Sequence, residues 1–129
     1  MTGNTGIHRA QESALNKLIS YLEDSAPVSA AAQTDIFLLI IYRVNLSDVK
    51  VFITDTYVLG EADVHEALSR YPDVHAIVNI SIWNHNTSEA REYCRQRGVA
   101  LFTFKELLGA IHYAGADFLD YQAPKQRRE

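Results

Sequence analysis

The chain has 129 residues, of which 47% are hydrophobic and 22% are charged, and its formal net charge is −4. This length suits one domain with a single core. The negative balance argues against nucleic-acid binding by simple electrostatic attraction. The longest apolar run, residues 36–42, is far shorter than the roughly 20 residues that cross a bilayer, so no membrane partner is expected.

The two ends of the chain differ from its body. No charged-then-apolar leader opens the sequence, which predicts a cytoplasmic protein. Residues 1–6 and 122–129 are polar and are predicted to be disordered tails. The second tail carries the basic residues Lys125, Arg127 and Arg128, which leave nucleic-acid binding open. A single cysteine, Cys94, excludes an internal disulfide.

An amphipathic helix begins the predicted fold. Pro27 disfavours helix in the residue before it, so this helix is expected to end near Asp24. Residues 29–33 (Ser-Ala-Ala-Ala-Gln) fit either a loop or a poor strand. The buried face of the helix is marked by apolar residues at i, i+3, i+4 and i+7, namely Leu15, Leu18, Ile19 and Leu22.

Two strands joined by a turn follow, and they predict an antiparallel hairpin. Residues 35–44 are nearly all apolar after the first, as in a strand covered on both faces. Residues 45–48 (Asn-Leu-Ser-Asp) have turn chemistry, and residues 49–54 form the second strand. A helix is then expected between Gly60 and Pro72, with acidic residues in its first turn.

Residues 73–104 predict a strand–helix–strand unit. Its two ends are rich in β-branched and aromatic residues. Between them, Asn86 and Glu89 have the spacing of a capping box that starts a helix, and Gly98 supplies the stop. Strands joined in this way are almost always parallel.

The predicted order is helix, strand, strand, helix, strand, helix, strand, helix, and the last helix starts at a capping box of Thr103 and Glu106. This order predicts a single α/β domain with a mixed β-sheet, in which an antiparallel hairpin joins parallel strands and helices flank both faces. Another Rossmann-like three-layer sandwich is the alternative fold.

Four short runs in the second half of the chain form a recognisable series. They are residues 76–81 (Ala-Ile-Val-Asn-Ile-Ser), 87–91 (Thr-Ser-Glu-Ala-Arg), 98–102 (Gly-Val-Ala-Leu-Phe) and 105–108 (Lys-Glu-Leu-Leu). This series resembles the restriction-endonuclease-like nucleases, most closely their Mrr-type branch, in which a strand of apolar and Thr residues precedes the patterns T-x-E-A, G-I-x-L and x-E-L-L. The resemblance implies a helix, a hairpin that carries the active site, a helix and a further strand, followed by a helix, a short strand and a final helix.

The same resemblance implies a metal-dependent active site on the hairpin. An acidic residue opens the first strand, and Glu or Gln stands two residues before Lys on the second. The carboxylates hold Mg²⁺ and the Lys orients or activates water. Asp35 occupies the place of the first acid, but the second motif falls at Ile53, Thr54 and Asp55 and is not matched. A degenerate, non-catalytic site without a cofactor is therefore expected.

A Mg²⁺-dependent DNA nuclease with an atypical site is the first alternative. Asp48, Val49 and Lys50 spell D-x-K, and Asp35 would supply the other metal ligand, together with Asp55 if the two carboxylates converge. The competing interpretation makes Asp48 a turn residue and Lys50 an edge charge.

A second candidate site follows the strand of the strand–helix–strand unit. In open α/β sheets ligands lie outside the carboxyl ends of strands. A Trp here can stack on a ring, and the following helix N-terminus offers N–H groups to an anion. Alternatively, Asn86 caps the helix and Trp83 completes the core. The candidate ligand-binding residues are Trp83, Asn84, His85, Asn86 and Thr87.

Three functions follow from these features. The first is a non-catalytic binding or assembly module that self-associates, as a homodimer through the hairpin or the C-terminal segment, or binds a protein partner. The others are the atypical nuclease and a small-ligand or nucleotide sensor. Self-association is suggested by side chains that exceed what a core of this size is expected to absorb: Tyr42, Val44, Val51, Phe52, Tyr113, Phe118 and Tyr121.

Overall fold

The computed structural model describes residues 7–122. The predicted tails therefore lie outside the described residues, apart from Gln122. The helices are α1 (Glu12–Glu23), α2 (Glu61–Arg70), α3 (Ser88–Gln96), α4 (Phe104–Ala110) and α5 (Gly115–Leu119). The strands are β1 (Val28–Asp35), β2 (Leu38–Arg43), β3 (Val49–Thr54), β4 (Val58–Leu59), β5 (Ala76–Asn79), β6 (His85–Asn86) and β7 (Ala100–Thr103).

Five strands form one mixed sheet in the order β1-β2-β3-β5-β7. The pairs β1–β2 and β2–β3 are antiparallel, whereas β3–β5 and β5–β7 are parallel. The short strands β4 and β6 form a separate parallel pair. Helices pack on both faces of the large sheet, so the predicted α/β domain with a mixed sheet is confirmed.

The predicted hairpin of β2 and β3 is confirmed, but its first strand begins later than expected. The turn between β2 and β3 places Asn45 at φ 66°, a conformation that Asn tolerates better than most residues. Asp35 does not open β2, because it is the last residue of β1 and pairs with Leu38 across a tight turn. Residues 29–33, which the sequence left undecided, belong to the edge strand β1.

The helix α3 begins one residue later than its capping pattern suggested. Thr87 is the N-cap, and its hydroxyl oxygen accepts a hydrogen bond from the backbone N–H of Ala90 at 3.0 Å. Asn86 lies in β6 instead, so its prediction as the cap is wrong. The stop at Gly98 is confirmed by a φ of 73°, and the capping box of Thr103 and Glu106 is confirmed at the start of α4.

The sheet separates two hydrophobic clusters. One lies under α1, α4 and α5 and includes Leu18 and Phe102, and the other lies under α2 and α3 and includes Phe52 and Cys94. Some of the side chains that were expected to remain outside the core are buried in it. Val51 and Phe52 are fully buried, and Phe118 is 7% exposed. Within residues 7–122, no helix is long and apolar enough to span a membrane.

Arg43 ties the hairpin to the C-terminal half of the chain from a buried position. Its Nε donates to the carbonyl oxygen of Ser47 at 2.8 Å, and its Nη1 donates to those of Ile111 at 2.9 Å and Tyr113 at 2.6 Å. The guanidinium also lies 5.9 Å from the centre of the Phe118 ring. Burial lowers the pKa of Arg43, and the charge of Asp48 opposes that shift. Arg43 therefore links the hairpin to the segment after α4 through hydrogen bonds to main-chain carbonyl oxygens.

Replacing Arg43 by Met should destabilise the fold strongly. The substitution keeps an apolar stem but leaves three carbonyl oxygens without their donor, which should lower the free energy of unfolding by about 3 kcal/mol. Urea denaturation of the Arg43→Met and parent proteins measures the difference. Lys105→Met removes a positive charge from an exposed side chain and should leave the midpoint nearly unchanged. Equal urea midpoints for the Arg43→Met and Lys105→Met proteins would show that the hydrogen bonds of Arg43 do not stabilise the fold.

Candidate functional site

The carboxyl ends of β3 and β5 lie side by side at one end of the sheet. Thr54 ends β3 and pairs with Asn79, which ends β5. The chain then leaves β3 through residues 55–57 and leaves β5 through residues 80–84. The two connections meet again in the β4–β6 pair, where Val58 lies opposite His85. This end of the sheet is where ligands of open α/β folds are commonly found.

A buried Asn79 side chain holds the two connections together. Its Oδ1 accepts hydrogen bonds from the backbone N–H of Thr56 at 2.9 Å and from Nδ2 of Asn84 at 2.9 Å. Its Nδ2 donates to the carbonyl oxygen of Thr56 at 2.7 Å and to Oδ1 of Asn86 at 3.1 Å. Asn79 is 1% exposed, so its whole hydrogen-bonding capacity is used inside the protein.

Asn84 extends this network to the surface. Its Nδ2 donates both to Asn79 and to Oδ1 of Asp55, the latter at 2.6 Å, and the residue is 8% exposed. Asp55 is half-buried, and its second carboxylate oxygen has no hydrogen bond among the described residues. An acceptor is therefore available at the rim of this network.

The segment before α1 crosses the end of β3. The carbonyl oxygen of His8 accepts from the backbone N–H of Asp55 at 2.8 Å and from the hydroxyl of Thr54 at 2.9 Å. These contacts bring the exposed Arg9 to the same end of the sheet. Arg9 forms no ion pair with the residues that the structure describes.

An open groove of about 500 Å³ lies between these segments. Two aromatic side chains stand at its wall with most of their surface in solvent: Tyr57 is 68% exposed and Trp83 is 70% exposed. Ile82, beside Trp83 in sequence, is 83% exposed. The residues that line the groove are His8, Arg9, Gln11, Asp55, Thr56, Tyr57, Val58, Trp83 and Asn84.

The predicted ligand-binding residues fall into two groups. Trp83 and Asn84 line the groove, and His85 contacts the edge of the Tyr57 ring with ring centres 6.1 Å apart. Asn86 and Thr87 serve the structure instead, since Asn86 pairs in β6 and Thr87 caps α3. The alternative in which Trp83 completes the core is wrong, because its side chain is largely exposed.

The residues proposed for a nuclease site do not come together. Asp35 lies on β1, two strands away from β3 and hence about 10 Å across the sheet. Its Oδ1 accepts from the backbone N–H of Ile36 at 2.7 Å and its Oδ2 from the hydroxyl of Tyr71 at 3.1 Å. Asp55 has Asn84 as its partner instead. Mg²⁺ needs ligand oxygens at about 2 Å, so this pair does not form a metal site.

The D-x-K residues lie at the other end of β3. Asp48 precedes the strand and Lys50 is its second residue, five positions before Asp55, which corresponds to about 17 Å along a strand. The main-chain N–H of Lys50 donates to Nδ1 of His75, at the start of the neighbouring strand. Among the described residues, no group of three or more His, Cys, Asp or Glu side chains is placed to hold a metal ion.

The lone thiol is also unsuited to nucleophilic attack. Cys94 is fully buried, and burial raises its pKa to about 12 despite the opposing charges of Arg91 and Arg97. A thiol must be deprotonated and accessible to act as a nucleophile.

Sequence reasoning missed three residues of the site. In the sequence Tyr57 lies in the connection after a predicted strand, Asn79 lies within a predicted strand, and Arg9 carries no signal of its own. A signal for Asn79 did exist, because a polar amide within a run of apolar strand residues needs a buried partner.

Replacing Asn79 by Leu should loosen both connections. The variant leaves the buried N–H and C=O groups of Thr56 unpaired and should lower the free energy of unfolding by about 3 kcal/mol. Trp83 is the only tryptophan, so a change in its fluorescence reports the groove directly. Urea denaturation and emission spectra measure the two effects.

Asn16→Leu is the matched control, because Asn16 lies on the exposed face of α1 and the same substitution there should change stability by no more than about 0.5 kcal/mol. An Asn79→Leu protein with the parent's stability and emission spectrum would show that the network does not hold the groove.

Comparison with models of known protein families, with curated proteins and with solved structures found no match to this chain.

Proposed function

We propose that this chain is a non-catalytic binding module, built on a restriction-endonuclease-like scaffold, that recognises a nucleotide through the groove at the carboxyl ends of β3 and β5. The observation that carries the proposal is the pair of exposed aromatic side chains, Tyr57 and Trp83, above the buried Asn79 amide, which makes four hydrogen bonds inside the protein. Exposed aromatic rings on a rigid base are suited to stacking on planar ligands.

The polar residues of the groove narrow the class of ligand. The guanidinium of Arg9, which forms no ion pair with residues 7–122, suits a phosphate. The Asp55 carboxylate oxygen that has no hydrogen bond within the same residues suits an exocyclic amine of a base. A groove of about 500 Å³ falls within the size range of small-molecule sites. The net charge of −4 favours a single nucleotide over a long polyanion.

We propose a non-catalytic module because the side chains that a nuclease site would need lie far apart. The carboxylates of Asp35 and Asp55 have different partners, and Lys50 lies at the far end of β3. The scaffold is inferred from the element order, in which α1 precedes a meander of β1, β2 and β3 and the parallel strands β5 and β7 follow. A Mg²⁺-dependent nuclease would need these groups on one site.

The fluorescence of Trp83 tests the proposal. Titration with purine and pyrimidine nucleotides should quench its emission and raise the melting temperature by mass action, whereas inorganic phosphate and ribose should do neither. A full panel of nucleotides that changes neither quantity at millimolar concentration would refute the proposed function.

Variants assign the contacts within the groove. Trp83→Ala and Tyr57→Ala should each weaken nucleotide binding by about 1–3 kcal/mol through lost stacking. Arg9→Ala should weaken binding of nucleotides but not of the matching nucleosides, because only the phosphate contact is removed. Lys17→Ala removes a positive charge elsewhere on the surface and serves as the control. Calorimetry measures all of these affinities; equal losses for nucleosides and nucleotides in Arg9→Ala would place the phosphate elsewhere.

A further inference from the structure

The two edge strands of the large sheet differ in their exposure. At one edge, β7 is covered, with Ala100 and Leu101 each 2% exposed and Phe102 fully buried. At the other edge, β1 has β2 as its neighbour on one side, and residues 32–35 are exposed. An open edge strand presents main-chain donors and acceptors to any chain that can pair with it.

The strand β1 lacks the charged and proline residues that usually block such pairing. Its two register shifts, between Val28 and Ala30 and between Gln33 and Asp35, leave residues 30–33 in regular register with β2. Its sequence from Val28 to Thr34 contains no charge and no proline, and three consecutive positions are alanine. The one charged residue, Asp35, stands at its end. Exposed edge strands commonly carry lysine, proline or inward-pointing charges that prevent association.

The hydrogen-bond pattern shows which main-chain groups of β1 are directed away from β2. The N–H of Ile53 donates to the carbonyl oxygen of Phe37 at 2.7 Å, so the odd-numbered residues of β2 are directed towards β3. The even-numbered residues Ile40 and Tyr42 are therefore directed towards β1, where they pair with Ala32 and Ala30. In an antiparallel ladder the direction alternates along a strand.

Consequently, the main-chain N–H and C=O groups of Ala31 and Gln33 are directed away from the sheet. We propose that a second copy of this chain pairs with β1 through these groups, antiparallel and about a two-fold axis, and so joins the two sheets into one. Ala31 then pairs with Gln33 of the other copy, Gln33 with Ala31, and each pair exchanges both of its main-chain hydrogen bonds.

The symmetry explains why a second copy fits this edge. In this register Ala32 of one copy faces Ala32 of the other across the axis, in a pair without mutual hydrogen bonds whose Cα atoms are about 4.5 Å apart. Alanine accepts so close an approach. The antiparallel arrangement also keeps the two Asp35 carboxylates at opposite ends of the interface, whereas a parallel one would align them.

Apolar side chains beside β1 add to the proposed interface. Ile40 and Tyr42 share a face of the sheet with Ala32 and Ala30, and Tyr42 is 38% exposed. In the joined sheet these side chains lie on the same face in both copies, one strand away from the pair of β1 strands at the axis. This inference does not depend on the groove, which is formed by the ends of β3 and β5 and not by the edge strand.

Sedimentation equilibrium with charge-swapped variants tests the interface. The parent protein should show a dimer of twice the 14.5 kDa chain mass at micromolar concentration. Ala32→Lys and Ala32→Glu should each weaken dimerisation by roughly a hundredfold, because like charges then meet at the axis. An equimolar mixture of the two variants should recover the dimer, since opposite charges meet there. That recovery also shows that both variants are folded.

Ala62→Lys, on the exposed surface of α2, is the control and should dimerise like the parent. A parent protein that is monomeric at these concentrations would overturn the proposal, as would dimers that tolerate either charge at residue 32. A mixture that remains monomeric would overturn the two-fold register. Nucleotide binding is measured on the monomeric Ala32 variants as well. Because residue 32 does not line the groove, these variants should still bind nucleotide, so failure of the dimer proposal and failure of the proposed function can be distinguished.

Discussion

The amide of Asn79 is the interaction on which the rest of this site depends. It continues the β3–β5 ladder by one further step, because its two polar atoms bind the N–H and C=O of Thr56 as a paired strand would. Only one orientation of the amide satisfies both groups, so the positions of its oxygen and nitrogen are determined. Asn84 and Asn86 then complete its remaining bonds, and both connections become part of the folded core.

This arrangement explains how aromatic side chains can be both exposed and well positioned. Tyr57 follows Thr56 directly, and Trp83 precedes Asn84, so each aromatic residue is adjacent to one held by Asn79. A surface of this kind loses little conformational entropy when a ligand binds, which favours recognition by stacking. The edge strand β1 lies two strands away from β3 in the sheet and does not line the groove.

Much of the architecture could be predicted from the sequence, because local patterns determine it. The hairpin, the parallel unit, the stop at Gly98 and the capping box at Thr103 each follow from residues close together in the chain. The sequence of residues 29–33 does not distinguish a loop from a strand, because alanine has weak strand preference. These residues form a strand because β2 pairs with them. Asp35 was expected to open β2 because the tight turn that follows it is made of the apolar residues Ile36 and Phe37, which carry no turn signal.

The site was less predictable because its contacts link distant residues. Trp83 and Asn84 were recognised from the rule that ligands lie beyond the carboxyl ends of strands. Arg9 and Tyr57 reach the groove only through tertiary contacts, among them the bonds from Asp55 and Thr54 to the carbonyl oxygen of His8. No periodicity or spacing in the sequence encodes such contacts.

Amide hydrogen exchange at Thr56 tests the central role of Asn79 most directly. Thr56 lies beyond the end of β3, yet its N–H is bonded to the buried Asn79 side chain at 2.9 Å. We expect this amide to exchange as slowly as that of Ile53 within β3, through opening of the whole domain. Exchange of Thr56 at the rate of an exposed loop amide, with Ile53 still protected, would contradict the account.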